Sequence, residues 1–279
     1  MLSPKLACCN FIPRYNELRE FSLDYGFYGV DWTFTPDDLP SSDVEERELM
    51  KNLLSLRPLE IRYHLFFVEK EIGRKDFTQG TMERGLFFRA CRVISHLGGK
   101  YVTVHVGLDR RQSANEISWQ KTISSLKNLV DFARNLGLRV CLENLPRGWT
   151  SRPDLFEKII RKSSCWGTLD IGHALVSQSV ASGAYDLEDF AYPHPERILN
   201  AHVYHEETSS GHIAPASVRD IESRLKMLTQ LPFCDWWVLE LREHKPLVKT
   251  LRVVREFLME RQNQVSVVGG LSFTRSLSA

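Results

Sequence analysis

The chain has 279 residues, 43% of them hydrophobic and 25% charged, with a formal net charge of +1 and a pI near 7.7. These values are ordinary for a soluble globular protein and suit one barrel of about 250 residues better than two separate domains. They exclude the global basic field that marks many nucleic-acid binders, and no apolar stretch approaches the roughly 20 residues a membrane helix needs.

Apolar strand runs alternate with helical periods along the chain. Residues 5–11 read as a first strand, not a signal peptide, and are followed by a helix over 14–26. A second strand, 28–34, ends near Asp31. Ser42 or Asp43 is placed to cap a helix over 44–56. A third strand, 60–67, contains His64, and an amphipathic helix over 81–99 closes at Gly98-Gly99. The fourth strand, 101–107, carries His105 and leads to a helix over 118–137. A fifth strand, 138–143, precedes a helix over 152–162 with Pro153 in its first turn. A sixth strand, 165–170, precedes a short, proline-broken helix over 186–197. A seventh strand, 198–204, leads through a polar loop to a helix over 217–231. An eighth, 236–241, leads to a helix over 245–262. Eight such units in order predict an α/β fold, a single-domain (β/α)8 TIM barrel over 1–262, with 263–279 as a C-terminal tail.

The six cysteines include no CxxC pair, and Cys8, Cys9 and Cys141 lie inside apolar strand runs. Reduced, buried thiols and a cytoplasmic location are the expectation.

Four strand tails end in metal-ligating side chains: Glu143, Asp170, His202 and Glu240, spaced about 27 to 38 residues apart. A parallel barrel brings all its carboxyl ends to one face, so distant residues meet there. A single Glu at a strand end has an ordinary alternative, pairing with Arg147 or Arg242. Several carboxylates gathered without a cation would repel and protonate, so the set points to a divalent ion. Of nine histidines, six fall at or beyond strand ends: His64, His105, His173, His202, His205 and His212. His205 is the weakest candidate, and His96, His194 and His244 read as surface residues.

The "LEN" strand, the "LDIGHA" strand, the strand-seven histidine, the following "GHIAP" and the final "LE" resemble the xylose isomerase-like TIM barrels. That superfamily spans sugar and hydroxypyruvate isomerases, ketose 3-epimerases, inositol-pathway enzymes and endonuclease IV. The resemblance implies Glu143, Asp170, His202 and Glu240 as metal ligands, and His64, His105, His173 and His212 as substrate-binding residues. It also implies one divalent metal ion, Mn²⁺ foremost, with Mg²⁺, Co²⁺ or Zn²⁺ as alternatives. Three departures stand out. Ser210 replaces the acid two residues before the loop histidine, a metal ligand in endonuclease IV. Ala216 replaces the glycine after the loop proline. Thr208 replaces an arginine of the ketose 3-epimerases.

The expected activity is a metal-dependent isomerase or epimerase acting on a sugar or related hydroxy-carbonyl compound. The cation would polarise the carbonyl and stabilise an enediolate. Glu143 and Glu240, approaching from opposite sides, would remove and return the proton. Trp32, Phe66 and Trp149 are candidates for an apolar wall. A membrane or nucleic-acid partner is not expected, and a homo-oligomer is compatible with the sequence. The competing readings are an endonuclease IV-like phosphodiesterase and a non-catalytic sugar-binding barrel.

Overall fold

Residues 3–65, 82–106 and 118–273 are described by the computed structural model. Phe66 and the end of the expected third strand, the first residue of the helix expected over 81–99, the last residue of the strand expected over 101–107 and residues 274–279 of the expected tail lie outside them. The chain runs β1 (Lys5–Cys9), α1 (Tyr15–Asp24), β2 (Gly29–Thr33), α2 (Asp43–Leu54), β3 (Glu60–Leu65) and α3 (Met82–His96). Then come β4 (Tyr101–Val104), α4 (Trp119–Asn135), β5 (Arg139–Glu143), α5 (Pro153–Ser163), β6 (Trp166–Asp170), α6 (Ile171–Val176) and α7 (Gln178–Ala181). The last third holds β7 (Ile198–His202), a hairpin of β8 (Glu206–Thr208) and β9 (Gly211–Ile213), α8 (Glu222–Leu228), β10 (Trp236–Leu239) and α9 (His244–Phe273). Strands close in the order β1-β10-β7-β6-β5-β4-β3-β2, each parallel to its neighbours. The fold is thus the expected (β/α)8 barrel.

Local chemistry sets the helix ends. Ser42 Oγ accepts the Glu45 N–H at the start of α2, and acidic Asp43, Glu45 and Glu46 face the positive end of the helix dipole. Helix α4 stops where Gly137 takes φ +78°, a conformation glycine adopts without a Cβ penalty. Helix α5 begins at Pro153 and turns Phe156, Ile159, Ile160 and Ser163 inward.

The main core lies between the strands and the helix ring, where Val30, Leu65, Val104, Leu142 and Leu169 are fully buried. Each such side chain contributes about 1.5–3 kcal/mol. Inside the barrel the filling is different. Ala7, Trp236 and Val238 form a small separate apolar cluster. Beside them the Arg62 guanidinium, 3% exposed, donates to Asn200 and Asp235 and lies 3.9 Å over the Tyr101 ring. Asn200 donates to Thr168 at 3.1 Å, and Thr168 meets Thr103 at 3.0 Å. Barrels usually fill this space with branched aliphatics; here a hydrogen-bonded polar network forms part of the floor beneath the mouth.

Several elements differ from expectation. The polar loop after the seventh barrel strand is the β8–β9 hairpin. In place of the proline-broken helix there are two short 3-10 turns, Leu187–Phe190 and Pro195–Arg197, preceded by α6 and α7. Helix α8 is shorter than predicted, entered through a 3-10 turn at Val218–Asp220, and α9 continues beyond Gln262 to Phe273.

Candidate metal centre and active site

Strands β5, β6 and β7 end on Glu143, Asp170 and His202, and Glu240 directly follows β10. All four sit at the same end of the barrel, with exposures of 1%, 0%, 0% and 7%. One ligand atom from each lies within 4.8 Å of every other. His202 Nδ1 stands 2.8 Å from Glu240 Oε2, 3.3 Å from Glu143 Oε1 and 3.6 Å from Asp170 Oδ2. Neither ring nitrogen of His202 has a partner in good hydrogen-bond geometry, although both are buried and Nδ1 is at ion-pair distance from Glu240. Buried polar atoms are nearly always satisfied, so donors that converge without bonding one another call for something between them. Three carboxylates and one imidazole fit a hard or borderline divalent cation. Glu143 and Glu240 form no ion pair with Arg147 or Arg242, and among the described residues those two arginines make none.

Burial opposes charge on Glu143, yet His202 and His105 outweigh it and hold its carboxyl well below the usual range. Glu240 is likewise lowered against its burial, chiefly by His202. His202 is buried too, and Glu143 and Glu240 raise it well above an ordinary imidazole.

The motif residues around Asp170 have separable structural tasks. Asp170 Oδ1 accepts the His173 N–H at 2.7 Å and so caps α6. Tyr204 Oη donates to Asp170 Oδ2 at 3.0 Å. A Cβ on Gly172 would stand 2.1 Å from the Tyr204 ring, so only glycine admits that phenol. Asn144 completes the frame. It donates to the Asp170 carbonyl at 2.9 Å and accepts the Asp170 N–H at 2.7 Å, tying the tips of β5 and β6 together.

The four histidines expected to bind substrate also come to this end, in two groups. His64 Nε2 lies 2.9 Å from His105 Nε2, and His105 Nε2 lies 3.1 Å from Glu143 Oε2. His64 is 3% exposed, and burial lowers its pKa to about 3, so it stays neutral against the ligand set. His173 and His212 lie on the other side, ring centroids 5.9 Å apart, with His212 stacked on Tyr204 at 3.9 Å. His205 is drawn away from the cluster by Arg224, whose Nη2 stands 3.1 Å from its Nδ1. Trp32 stacks on Tyr15, and Trp149 meets Trp119 edge-on.

Sequence reasoning missed three residues here. Glu207 Oε2, on β8, approaches His173 Nε2 to 2.7 Å. Tyr204 escaped notice as a strand-end aromatic. Asp31 is 3% exposed below the ligands, and burial raises its carboxyl to about 7. It sits in the middle of β2, 3.9 Å from His64 Nδ1, and a carboxylate inside an otherwise apolar strand was the signal that would have found it. A cleft of about 260 Å³ opens beside Glu240, between Ser210 and His212 of the hairpin and Arg242 of the segment entering α9.

The fold and site together define a parallel (β/α)8 barrel whose mouth gathers buried carboxylates and imidazoles that could hold a divalent ion. The chain belongs to the xylose isomerase-like TIM barrel family, whose profile it matches over residues 20–261. An uncharacterised protein of Methanocaldococcus jannaschii is 25% identical over 167 residues, covering 60% of this chain and 70% of the relative. The D-allulose 3-epimerase of a Methylomonas species, solved with D-allulose, superposes with a TM-score of 0.68 at 12% identity, over 94% of this chain and 98% of its own. The IOLI protein, solved with a bound zinc atom, gives 0.65 at 15% identity over 92% of this chain and 97% of its own. At these identities the likeness establishes the fold alone.

Proposed function

We propose that the protein is a metal-dependent isomerase or epimerase that moves a proton next to the carbonyl of a sugar or related hydroxy-carbonyl compound. The observation that carries this reading is the placement of Glu143 and Glu240. Each is buried, each touches His202, and they stand three strand positions apart around the eight-strand ring. Two carboxylates across one mouth can address opposite faces of a carbon between them.

Glu143, Asp170, His202 and Glu240 would hold the cation, Mn²⁺ foremost. A bound divalent cation supplies an electrophile that polarises the substrate carbonyl. The side chains do the rest. One ionised glutamate removes the proton from the adjacent carbon; the resulting enediolate takes that proton back from the same glutamate, or takes one from the opposite glutamate when that group enters the turnover protonated. Return at the neighbouring carbon, with the hydroxyl proton passing to the former carbonyl oxygen, gives an aldose–ketose shift; return to the opposite face of the same carbon gives an epimer. His105, His173 and His212 line the mouth and would hold substrate hydroxyls. His64, packed beneath them, would act through His105 and Glu143. A D-allulose 3-epimerase solved with D-allulose and the IOLI protein solved with a zinc atom share the fold, which supports the reading.

The experiment is a panel of ketoses, hydroxypyruvate and inositol-derived ketones with Mn²⁺ in deuterated water. Turnover with deuterium entering the substrate carbon is expected, and Glu143→Gln or Glu240→Gln should abolish it while circular dichroism stays unchanged. Turnover of a panel member with no exchange, and no loss in either variant, would remove the proposal.

A second reading is an endonuclease IV-like phosphodiesterase. The observation that favours it is the cluster of His64, His105 and Glu143, whose ligand atoms lie within 4.8 Å of one another.

A further inference from the structure

An imidazole that ligates a cation commits one ring nitrogen and must still place the other. His202 turns Nδ1 toward Glu143, Asp170 and Glu240, so Nδ1 is the nitrogen that the cation would take. A ligating Nδ1 uses its lone pair, which leaves the ring hydrogen on Nε2. That N–H is buried and has no partner in hydrogen-bond geometry among the described residues. The four-ligand site accounts for one nitrogen of His202 and not for the other.

Asp31 supplies a carboxylate beside it. One ligand atom each from Asp31, His64 and His202 falls within 4.8 Å of the other two. Asp31 Oδ2 stands 3.9 Å from His64 Nδ1, which is also buried without a partner, while His64 Nε2 meets His105. Among the described residues no lysine or arginine pairs with Asp31, and its carboxylate makes no hydrogen bond. An unpaired carboxylate in the middle of a barrel strand is costly, and branched aliphatics usually fill such a position. The separation from His64 is too long for a direct hydrogen bond. One water closes it: groups about 2.8 Å from a shared water oxygen stand roughly 4–5 Å apart. A buried water typically makes about three hydrogen bonds to groups that lack other partners, and three such groups converge here.

We infer that Asp31 is a positioning residue for the cation: through one bridging water it receives the Nε2–H of His202 and so fixes the tautomer and ring orientation that present Nδ1 to the metal. The water accepts from His202, donates to Asp31, and gives or takes a hydrogen at His64 Nδ1 according to that ring's tautomer. A carboxylate behind a ligating imidazole also raises the basicity of the nitrogen that binds the ion. His64 is thereby tied to the metal site from beneath as well as through His105. The inference rests on the four-ligand site of the proposed function and is independent of the reaction carried out there.

Two measurements on the full-length protein test this. Chelator competition gives the Mn²⁺ affinity, and nitrogen NMR of histidine-labelled, Zn²⁺-loaded protein gives the ring tautomers, with His202→Gln as the assignment control. Wild type should show His202 ligating through Nδ1 with its hydrogen on Nε2. Asp31→Ala should weaken Mn²⁺ binding about 10–100-fold and speed exchange of that hydrogen with solvent. Asp31→Asn, whose amide oxygen still accepts, should recover part of the affinity and keep the tautomer. Should Asp31→Ala fail to fold, Asp31→Asn and the wild-type tautomer carry the test. A merely structural Asp31 would lower the melting temperature of the variants and leave Mn²⁺ affinity and Nε2–H exchange unchanged; that result, or His202 ligating through Nε2 in wild type, would overturn the inference. Equal binding by wild type and Asp31→Ala removes the role of Asp31 and leaves the four-ligand site standing. No ion in wild type would remove that site and this inference together.

Discussion

Asp170 occupies a position where three demands coincide: it ends a strand, caps a helix and faces the candidate metal. Its two oxygens are already oriented by the His173 N–H and the Tyr204 hydroxyl before any ligand arrives. Such prior orientation lowers the entropy lost on binding. Yet Glu143, Asp170 and Glu240 remain three buried carboxylates around one imidazole, and part of their mutual repulsion persists without a cation. Anything that binds only the folded state stabilises it, by about 2.7 kcal/mol at a hundredfold excess over Kd. Millimolar Mn²⁺ should therefore raise the melting temperature by several degrees, and chelator should reverse the gain. Asp170→Asn should lose most of that response. Identical melting curves with and without Mn²⁺, Mg²⁺, Co²⁺ and Zn²⁺ would point to a non-catalytic barrel.

The hairpin is the element on which the mouth depends, and it cannot hold itself. Two strands of three residues are marginal alone. Arg224 anchors it from α8. The guanidinium, 5% exposed, donates to the carbonyl oxygens of Ile171, His205 and Asp220, linking α6, the approach to the hairpin and the 3-10 turn that precedes its own helix. Burial lowers its pKa to about 10, so it remains charged at neutral pH. Arg224→Met should leave those carbonyls short of donors and destabilise the fold by about 2–4 kcal/mol. Limited proteolysis should then cut within residues 206–213 well before the barrel opens. Unchanged proteolysis there would mean that the hairpin is held by other contacts. Strand tails were legible because each apolar, β-branched run stops at a polar residue, and strand direction then fixes the face. The hairpin was not, because Glu207 and His212 meet through a cross-strand register that no periodicity writes. The helix expected over 186–197 failed for a related reason: Pro193 and Pro195 break it, and the compensating turns of α6 and α7 follow from Asp170 and Ser177 acting as caps.

At the scale of the whole molecule, charge is where the two proposed enzyme readings part. The described residues assemble most of the ligand types of a multi-cation phosphodiesterase, so ligand identity alone does not separate the classes. The sequence hid this, because Ser210 stands where that family carries an acid and Glu207 approaches from the other strand. A duplex-binding enzyme needs cations for phosphates: counterion release drives binding, with a slope of about 0.9 per phosphate contact. Here 36 basic residues face 35 acidic ones, and several exposed arginines are already spent on neighbours, Arg14 on Glu17, Arg134 on Asp131, Arg152 on Asp154 and Arg161 on Glu157. The hairpin itself adds Glu206 and Glu207 to the rim, which repel a phosphate backbone unless a cation intervenes. DNA association should therefore be weak and should vanish with modest salt, and abasic-site DNA should stay intact with Zn²⁺ or Mn²⁺ present. A titration of binding against salt, run beside an incision assay, checks both. Efficient incision that is lost in His64→Ala and in His105→Ala would replace the isomerase reading with the phosphodiesterase one. In an isomerase those same substitutions should leave the four-ligand ion in place and mainly raise KM.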